Sequence, residues 1–265
     1  MVVSVLMGVY HRGKDTQDLK NAVESILNQS YSNFEFLICP CGSSPQAVEL
    51  LKQYAALDPR IRLVKDTGNH SLAAKLNCCL REATGKYLAR MDDDDISLPQ
   101  RLEKQLAFLQ SHQEFAFAGC NITLFCGGSQ TGLRSFPQRP KPEDFFFTMP
   151  YIHPTLMFRR EALTAAGGYS QSPWAELCED YDLLLRLYAL GFQGANLQEP
   201  LFLYQVRPDD YKKRKYRHRV NEAVTRFCRY NQLGLLPCGL PYVLKPLIVG
   251  LLPHRLTESL KKHKR

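Results

Sequence analysis

The sequence predicts an α/β fold: a wound, mixed and mostly parallel sheet flanked by helices on both faces, with a helical extension at the C-terminal end. Two observations carry the prediction. Over residues 1–120 short β-rich runs alternate with amphipathic helical stretches, and the fourth such run leads straight into four consecutive aspartates. Val2 to Met7 reads as the first buried strand, followed by a helix with Leu19, Val23, Ile26 and Leu27 on one face. Phe34 to Cys39 is the second strand, after which Ser44 caps and Pro45 opens the second helix. Ile61 to Val64 is the third strand, and Ser71 caps a helix through Leu80 that stops near Gly85. Tyr87 to Met91 is the fourth strand, whose carboxyl end is where open α/β sheets place their ligands. Ser97 and Pro99 then start a helix with Leu102, Leu106 and Leu109 toward the core, and Phe115 to Ala118 is a fifth strand. Here the alternation lapses. Phe136 to Pro142 reads as a loop of polyproline character, Thr155 to Phe158 as a strand, Tyr181 to Leu190 as a helix closed by Gly191, and Leu201 to Tyr204 as the last strand. The chain divides into a main domain over 1–208, with halves 1–120 and 121–208, and an extension over 209–265.

With 45% hydrophobic and 23% charged residues among 265, disorder and fibrous repeats are excluded, and the chain can bury a large core. The formal charge of +8 sits late, in Lys212 to Lys215 with Arg217 and Arg219, and in Lys261, Lys262, Lys264 and Arg265. That asymmetry suits an acidic membrane surface or nucleic acid, but no nucleic-acid motif accompanies it, so no nucleic-acid partner is expected. An odd nine cysteines without CxxC spacing, and an N-terminus lacking a basic n-region and cleavage site, predict a reducing cytoplasm and free thiols. No stretch reaches the roughly 20 apolar residues of a membrane span. The nearest, Leu233 to Leu252, is interrupted by Pro237, Gly239, Pro241, Lys245 and Pro246 and runs into the basic tail. Such a segment suits the headgroup region on the inner face of a membrane, with docking on the protein's own core as the alternative.

The run Asp92-Asp93-Asp94-Asp95 is the feature that carries chemistry. Adjacent carboxylates raise one another's pKa, and a hard divalent cation is the simplest relief. Asp92 and Asp94 lie two apart, so an extended segment projects both to one side, and Mg²⁺ or Mn²⁺ prefers such oxygens. A calcium EF-hand loop is excluded, because Ile96 stands at the third oxygen ligand and Ser97 at the required glycine. A solvated acidic turn is the competing reading, and the tight apolar flanks weigh against it.

In this order of motifs the sequence resembles the inverting family 2 glycosyltransferases of the GT-A (Rossmann-like) fold, across about residues 1 to 205. Ser4 to Tyr10 looks like their first strand and donor loop, Ala22 to Tyr31 their first helix, and Ala89 to Pro99 with Arg101 to Gln105 their D-x-D motif and the helix after it. His153-Pro154-Thr155, Gly167-Gly168-Tyr169 and Glu179-Asp180-Tyr181-Asp182 repeat the order of their acceptor half. The similarity is greatest to the branch that builds bacterial exopolysaccharide and lipopolysaccharide. It implies a nucleotide-sugar donor, a UDP-sugar first, held by Gly8, Val9, Tyr10, Cys41, Lys75, Asp92 and Asp93. It further implies Mn²⁺ or Mg²⁺ on Asp94 and Asp92, Asp180 as catalytic base with Glu179 beside it, and a growing surface glycan or lipid-linked acceptor. Two acceptor-side residues stay open. His153 is either a ligand for phosphate, acceptor or metal or a hydrogen-bonded structural histidine, and Trp174, the only tryptophan, either stacks on an acceptor sugar or packs. Glu179 and Asp180 by themselves would also suit a helix N-terminus.

The pattern departs from the family after the second strand. Two aspartates usually precede Gly-Ser there, one of them contacting base or ribose, and this chain has Pro40 and Cys41 instead. The family's arginine on the third helix is also missing. Lys75 supplies a charge on that helix, turned by about 100° from the position required. The alternative is therefore a non-catalytic homologue that binds glycan or membrane with a degenerate nucleotide site. A nucleotidyltransferase needs a glycine-rich phosphate loop, and residues 8–13 offer two glycines; dinucleotide binding needs a G-x-G-x-x-G after a strand, which is absent.

Overall fold

The computed structural model describes residues 2–65, 68–207 and 215–251. Lys212, Lys213 and Arg214 of the first basic cluster, and the tail from Leu252 on, lie outside the described residues. A nine-stranded sheet forms the centre, ordered β3-β2-β1-β4-β8-β6-β9-β5 with β7 paired to β6. Strands β1 (Val3–Gly8), β2 (Phe34–Cys39), β3 (Ile61–Leu63) and β4 (Tyr87–Met91) run parallel. Helices α1 (Gln17–Leu27), α2 (Pro45–Leu57) and α3 (Leu72–Glu82) make the crossovers. Ser44 and Ser71 accept hydrogen bonds from the third residue on, as their cap positions require. Val3, Val5 and Met7 belong to one core and Leu6 to the other, so β1 is covered on both faces and reads as an apolar run interrupted only by Ser4.

The second half differs from expectation at several elements. Ser97 does not start a helix. It lies in a short strand, β5 (Ile96–Ser97), where its amide donates to Ser25 Oγ and its hydroxyl and carbonyl are held by the Gln29 amide. Helix α4 (Arg101–Ser111) therefore begins at Arg101 without a side-chain cap. Strand β6 extends over Phe115–Cys126 and turns through Gly127 and Gly128, both at positive φ, into the exposed strand β7 (Ser129–Arg134). Two consecutive glycines at positive φ suit the tight hairpin turn, so this Gly-Gly pair marked a hairpin that the apolar pattern did not. Strand β8 is Met157–Arg159, with Thr155 in the 3-10 turn before it. Strand β9 starts at Gln193, well before Leu201, and runs to Gln205. Its pairing with β6 shifts register twice near Asn121, which breaks the period-two signal. A Cβ on Gly194 would lie 2.1 Å from the Phe117 ring, so only glycine fits that close approach.

Helix α5 (Arg160–Ala165) follows β8, and α6 (Glu179–Ala189) starts two residues earlier than its apolar face suggests. Helix α7 (Tyr216–Gln232) is stapled to α6 and to the turn before it. Tyr230 Oη meets Tyr181 Oη at 2.6 Å, Arg229 pairs with Asp182 at 2.8 Å, and Asn221 donates to the Pro173 carbonyl. The proline-containing segment forms α8 (Leu240–Leu251), which packs Tyr242 on Phe146 and leaves Leu240, Leu244, Ile248 and Leu251 between 44% and 73% exposed.

Glu35 ties the edge of the sheet together and gives a pH test. Burial raises its pKa, but hydrogen bonds from Thr84, Ser4 and Arg62 outweigh that and bring it down to about 2. A carboxyl depressed from 4.5 stabilises the fold by about 3 kcal/mol above that pH and loses it as pH falls toward 2. Urea unfolding between pH 6 and pH 2 is expected to show this loss, and Glu35→Gln to flatten it; an unchanged slope in the variant would contradict it.

Candidate active site

Strand β4 ends beside β1 at the carboxyl edge of the sheet, which brings the acidic turn next to the loop after Gly8. Each aspartate of the run meets a different partner. Asp92 pairs with the Arg90 guanidinium. Asp93 accepts from the Tyr10 amide at 3.0 Å. Asp94 pairs with Arg207 at 2.8 Å, and Arg207 also reaches Asp18 at 2.9 Å. Asp95 points inward, 1% exposed, and accepts from the Gln205 amide at 2.7 Å. Two arginines and two backbone amides thus offset part of the mutual repulsion. Burial, with the charge of Asp92, raises the pKa of both Asp93 and Asp95, of Asp95 strongly.

The loop after β1 is held from two sides. Val9 and His11 are bonded to the 39–44 turn through Cys39, Ser43 and Ser44. Lys75 does not turn away from this loop. It is buried, its Nζ donates to the Val9 carbonyl at 2.6 Å, and it lies 4.7 Å from the centre of the Tyr10 ring. Arg12 stacks on the same ring at 4.6 Å, and the ring stays half exposed. Gly8 is needed where α3 crosses β1, since a Cβ there would lie 3.0 Å from Leu72 and 3.1 Å from Lys75. Cys41 is half-buried in the adjoining turn, whose Gly42 has φ +78° beneath His70.

Glu179 and Asp180 stand at the N-terminus of α6, where the charges of Asp92 and Arg90 reach Glu179. Burial and the Asp180 charge push Glu179 up to about 7, with Asp92 adding to the shift and Arg90 opposing it. Asp180 accepts from the Tyr181 amide at 2.7 Å. The Tyr169 hydroxyl feels charges from both acidic groups, Asp180 and Glu179 in one and Asp92 in the other, together with that of Arg90. Its position is fixed by Asn77, whose side-chain amide bonds both the carbonyl and the N–H of Tyr169 at 2.8 Å. His153 is buried behind it with Nε2 2.9 Å from Tyr169 Oη, and burial with the nearby Arg90 charge keeps it neutral. Trp174 lies in the 3-10 turn Pro173–Ala175, with its side chain 54% exposed and its carbonyl bonded by Thr225.

The residues that the sequence reading missed are the cations. Arg90 is 1% exposed inside β4, and its raised pKa reflects Asp92 overcoming the cost of burial. Arg101, fully buried, donates to the Arg90 and Pro154 carbonyls. An arginine inside a strand covered on both faces was a visible signal, because a buried guanidinium requires a carboxylate or carbonyls around it. Arg207 had no such signal, since it reaches the site only through the path of β9.

The hard oxygens of Asp92 and Asp94, each 28% exposed, fit a Mg²⁺ or Mn²⁺ ion. Among the described residues no three His, Cys, Asp or Glu side chains form a metal cage, so two carboxylates would leave further positions to a ligand's own oxygens.

Comparison with known proteins identifies the family and the fold. The sequence model described as Glycosyl transferase family 2 matches residues 4–166. A Bacillus subtilis (strain 168) protein described as putative glycosyltransferase EpsE is 38% identical over 252 residues, which cover 95% of this chain and 90% of that protein. Residues 1–349 of S. aureus TarS in complex with UDP-GlcNAc superpose with a TM-score of 0.70 at 15% identity, over 92% of this chain and 73% of that one. The mannosyltransferase PcManGT from Pyrobaculum calidifontis, in complex with GDP-Man and Mn²⁺, gives 0.64 at 16% identity, over 99% and 79%. The latter two share the fold.

Proposed function

The chain belongs to glycosyl transferase family 2 and is a glycosyltransferase of the GT-A fold, and from that premise we propose an inverting, cation-dependent transfer from a nucleotide sugar to a growing surface glycan or lipid-linked acceptor. The observation that carries this reading is the acid pair at the start of α6 facing the acidic turn, close enough that Asp92 and Arg90 both shift Glu179. Asp180 takes the proton of the acceptor hydroxyl as that oxygen attacks the anomeric carbon from the side opposite the leaving diphosphate. Glu179, beside Asp180 at the start of α6, orients the acceptor. Asp92 and Asp94 would hold the cation, whose positive charge would offset the negative charge of a leaving diphosphate. Lys75 holds the Val9 carbonyl and so shapes the loop against which the donor lies. A UDP-sugar is the first candidate donor, since a neighbour of the same fold is known with UDP-GlcNAc and another with GDP-Man. A panel of UDP- and GDP-sugars with Mn²⁺, scored for nucleoside diphosphate release and thermal protection, is expected to single out one donor. If no donor registers in either readout, the transferase reading fails.

No described helix is long and apolar enough to cross a membrane. The exposed residues Leu240, Leu244, Ile248 and Leu251 follow helical spacing along one side of α8, and the sequence beyond is basic. We assign this side to peripheral contact with an anionic lipid surface. The protein is expected to sediment with vesicles of anionic lipid at low salt, and Leu244→Ser with Ile248→Ser to remain in the supernatant. Wild-type protein staying in the supernatant would refute the assignment.

A further inference from the structure

A cavity of about 370 Å³, lined mostly by residues beyond the stretch matched by the family, lies between Phe147–Met149, the start of α6, α7 and the second half of α8. That size falls within the roughly 300–1,000 Å³ of small-ligand pockets. Asp180 forms part of the wall, and neither the loop after Gly8 nor the acidic turn lines it, so the cavity opens on the candidate base from a side other than the donor's. Its lining is divided in character. Phe147, Met149 and Val249 are apolar, whereas Arg219 and Lys245 bring positive charge.

Arg226 also lines the cavity, but it is 5% exposed and its guanidinium is engaged by Glu222 and Tyr230, so it braces the wall. Arg219 is more accessible, 27% exposed, and meets Glu222 at 3.5 Å, beyond a good hydrogen bond. Lys245 is exposed and anchored to the Phe147 carbonyl at 2.8 Å, which keeps its charge at the rim. Cations among the lining of a half-apolar cavity, with Glu222 already engaged by Arg226, suit an anionic group attached to an apolar one.

We infer that this cavity binds the part of the acceptor next to its reacting hydroxyl, and that this part carries a phosphate or carboxylate held by Arg219 and Lys245. The apolar portion of the acceptor lies against Phe147, Met149 and Val249. The inference rests on Asp180 as base and deepens that reading by naming the acceptor class.

Titration of the full chain with phenyl phosphate, benzoate and the neutral phenyl β-glucoside, by calorimetry with and without saturating UDP, tests it. Phenyl phosphate or benzoate is expected to bind with UDP present, and the tighter of the two identifies the anion. Arg219→Ala with Lys245→Ala should weaken that binding by about tenfold or more, with Arg219→Lys retaining most of it. Equal binding of the neutral glucoside, unchanged binding by the double variant, or displacement by UDP would overturn the inference. UDP binding, read in the same experiment, reports on the donor site separately: if UDP fails to bind, the choice of a UDP-sugar donor falls while the anion titration still decides the cavity.

Discussion

Replacing Asp180 with Asn is expected to lower the transfer rate by about 10²–10⁴-fold, the usual contribution of a positioned general base, with nucleoside diphosphate binding unchanged. Asn preserves the oxygen that accepts from the Tyr181 amide, so the N-terminus of α6 keeps its geometry and the loss reports on the proton acceptor. Glu179 is the natural competitor for the role. Pushed up to about 7, it lies where a general base works well near neutral pH, whereas its burial ties that value to the Asp180 charge beside it. Glu179→Gln separates the two, since with Asp180 as base it should cost less than tenfold in rate and change mainly the acceptor KM. If Glu179→Gln instead abolishes transfer while Asp180→Asn retains it, the assignment is reversed. Should both variants match a wild type that binds nucleotide without turnover, the chain is the non-catalytic binding module that the substitutions at Pro40 and Cys41 admit.

Asp94→Ala is expected to remove the cation-dependent part of donor binding and turnover, on the order of a hundredfold or more, matching the several kcal/mol that a bound cation supplies at a leaving diphosphate. Chelation of the metal from wild-type protein should have the same effect on turnover. It should leave the melting temperature nearly unchanged, because Arg207 and Arg90 already balance Asp94 and Asp92. That combination distinguishes a cation that serves the reaction from one that holds the fold together. Activity of Asp94→Ala equal to wild type at every Mn²⁺ concentration would exclude Asp94 as a ligand. A large drop in melting temperature on chelation would show instead that the two arginines do not satisfy the turn.

How far this site was legible follows from the range over which each signal is encoded. The parallel half could be read because its information is local: Ser44-Pro45 and Ser71 cap helices within three residues, and β1, β2 and β4 are short buried runs in which all but one or two residues are apolar. The second half was read in part, since β9 shifts register near Asn121 and β7 is exposed throughout, which removes the periodicity on which strand prediction depends.

The sequence by itself determined that an acidic run ends the fourth strand, that an acid pair opens a later helix, and that the motifs fall in the order of family 2 glycosyltransferases. Only the tertiary structure decided what each charge meets: Asp92 the buried Arg90, Asp94 the distant Arg207, Asp95 the backbone of β9, and Lys75 the carbonyl of Val9. The reason is physical. Helix caps and apolar periodicity act between residues a few positions apart, whereas the partner of a carboxylate is set by which strand ends the sheet order brings together.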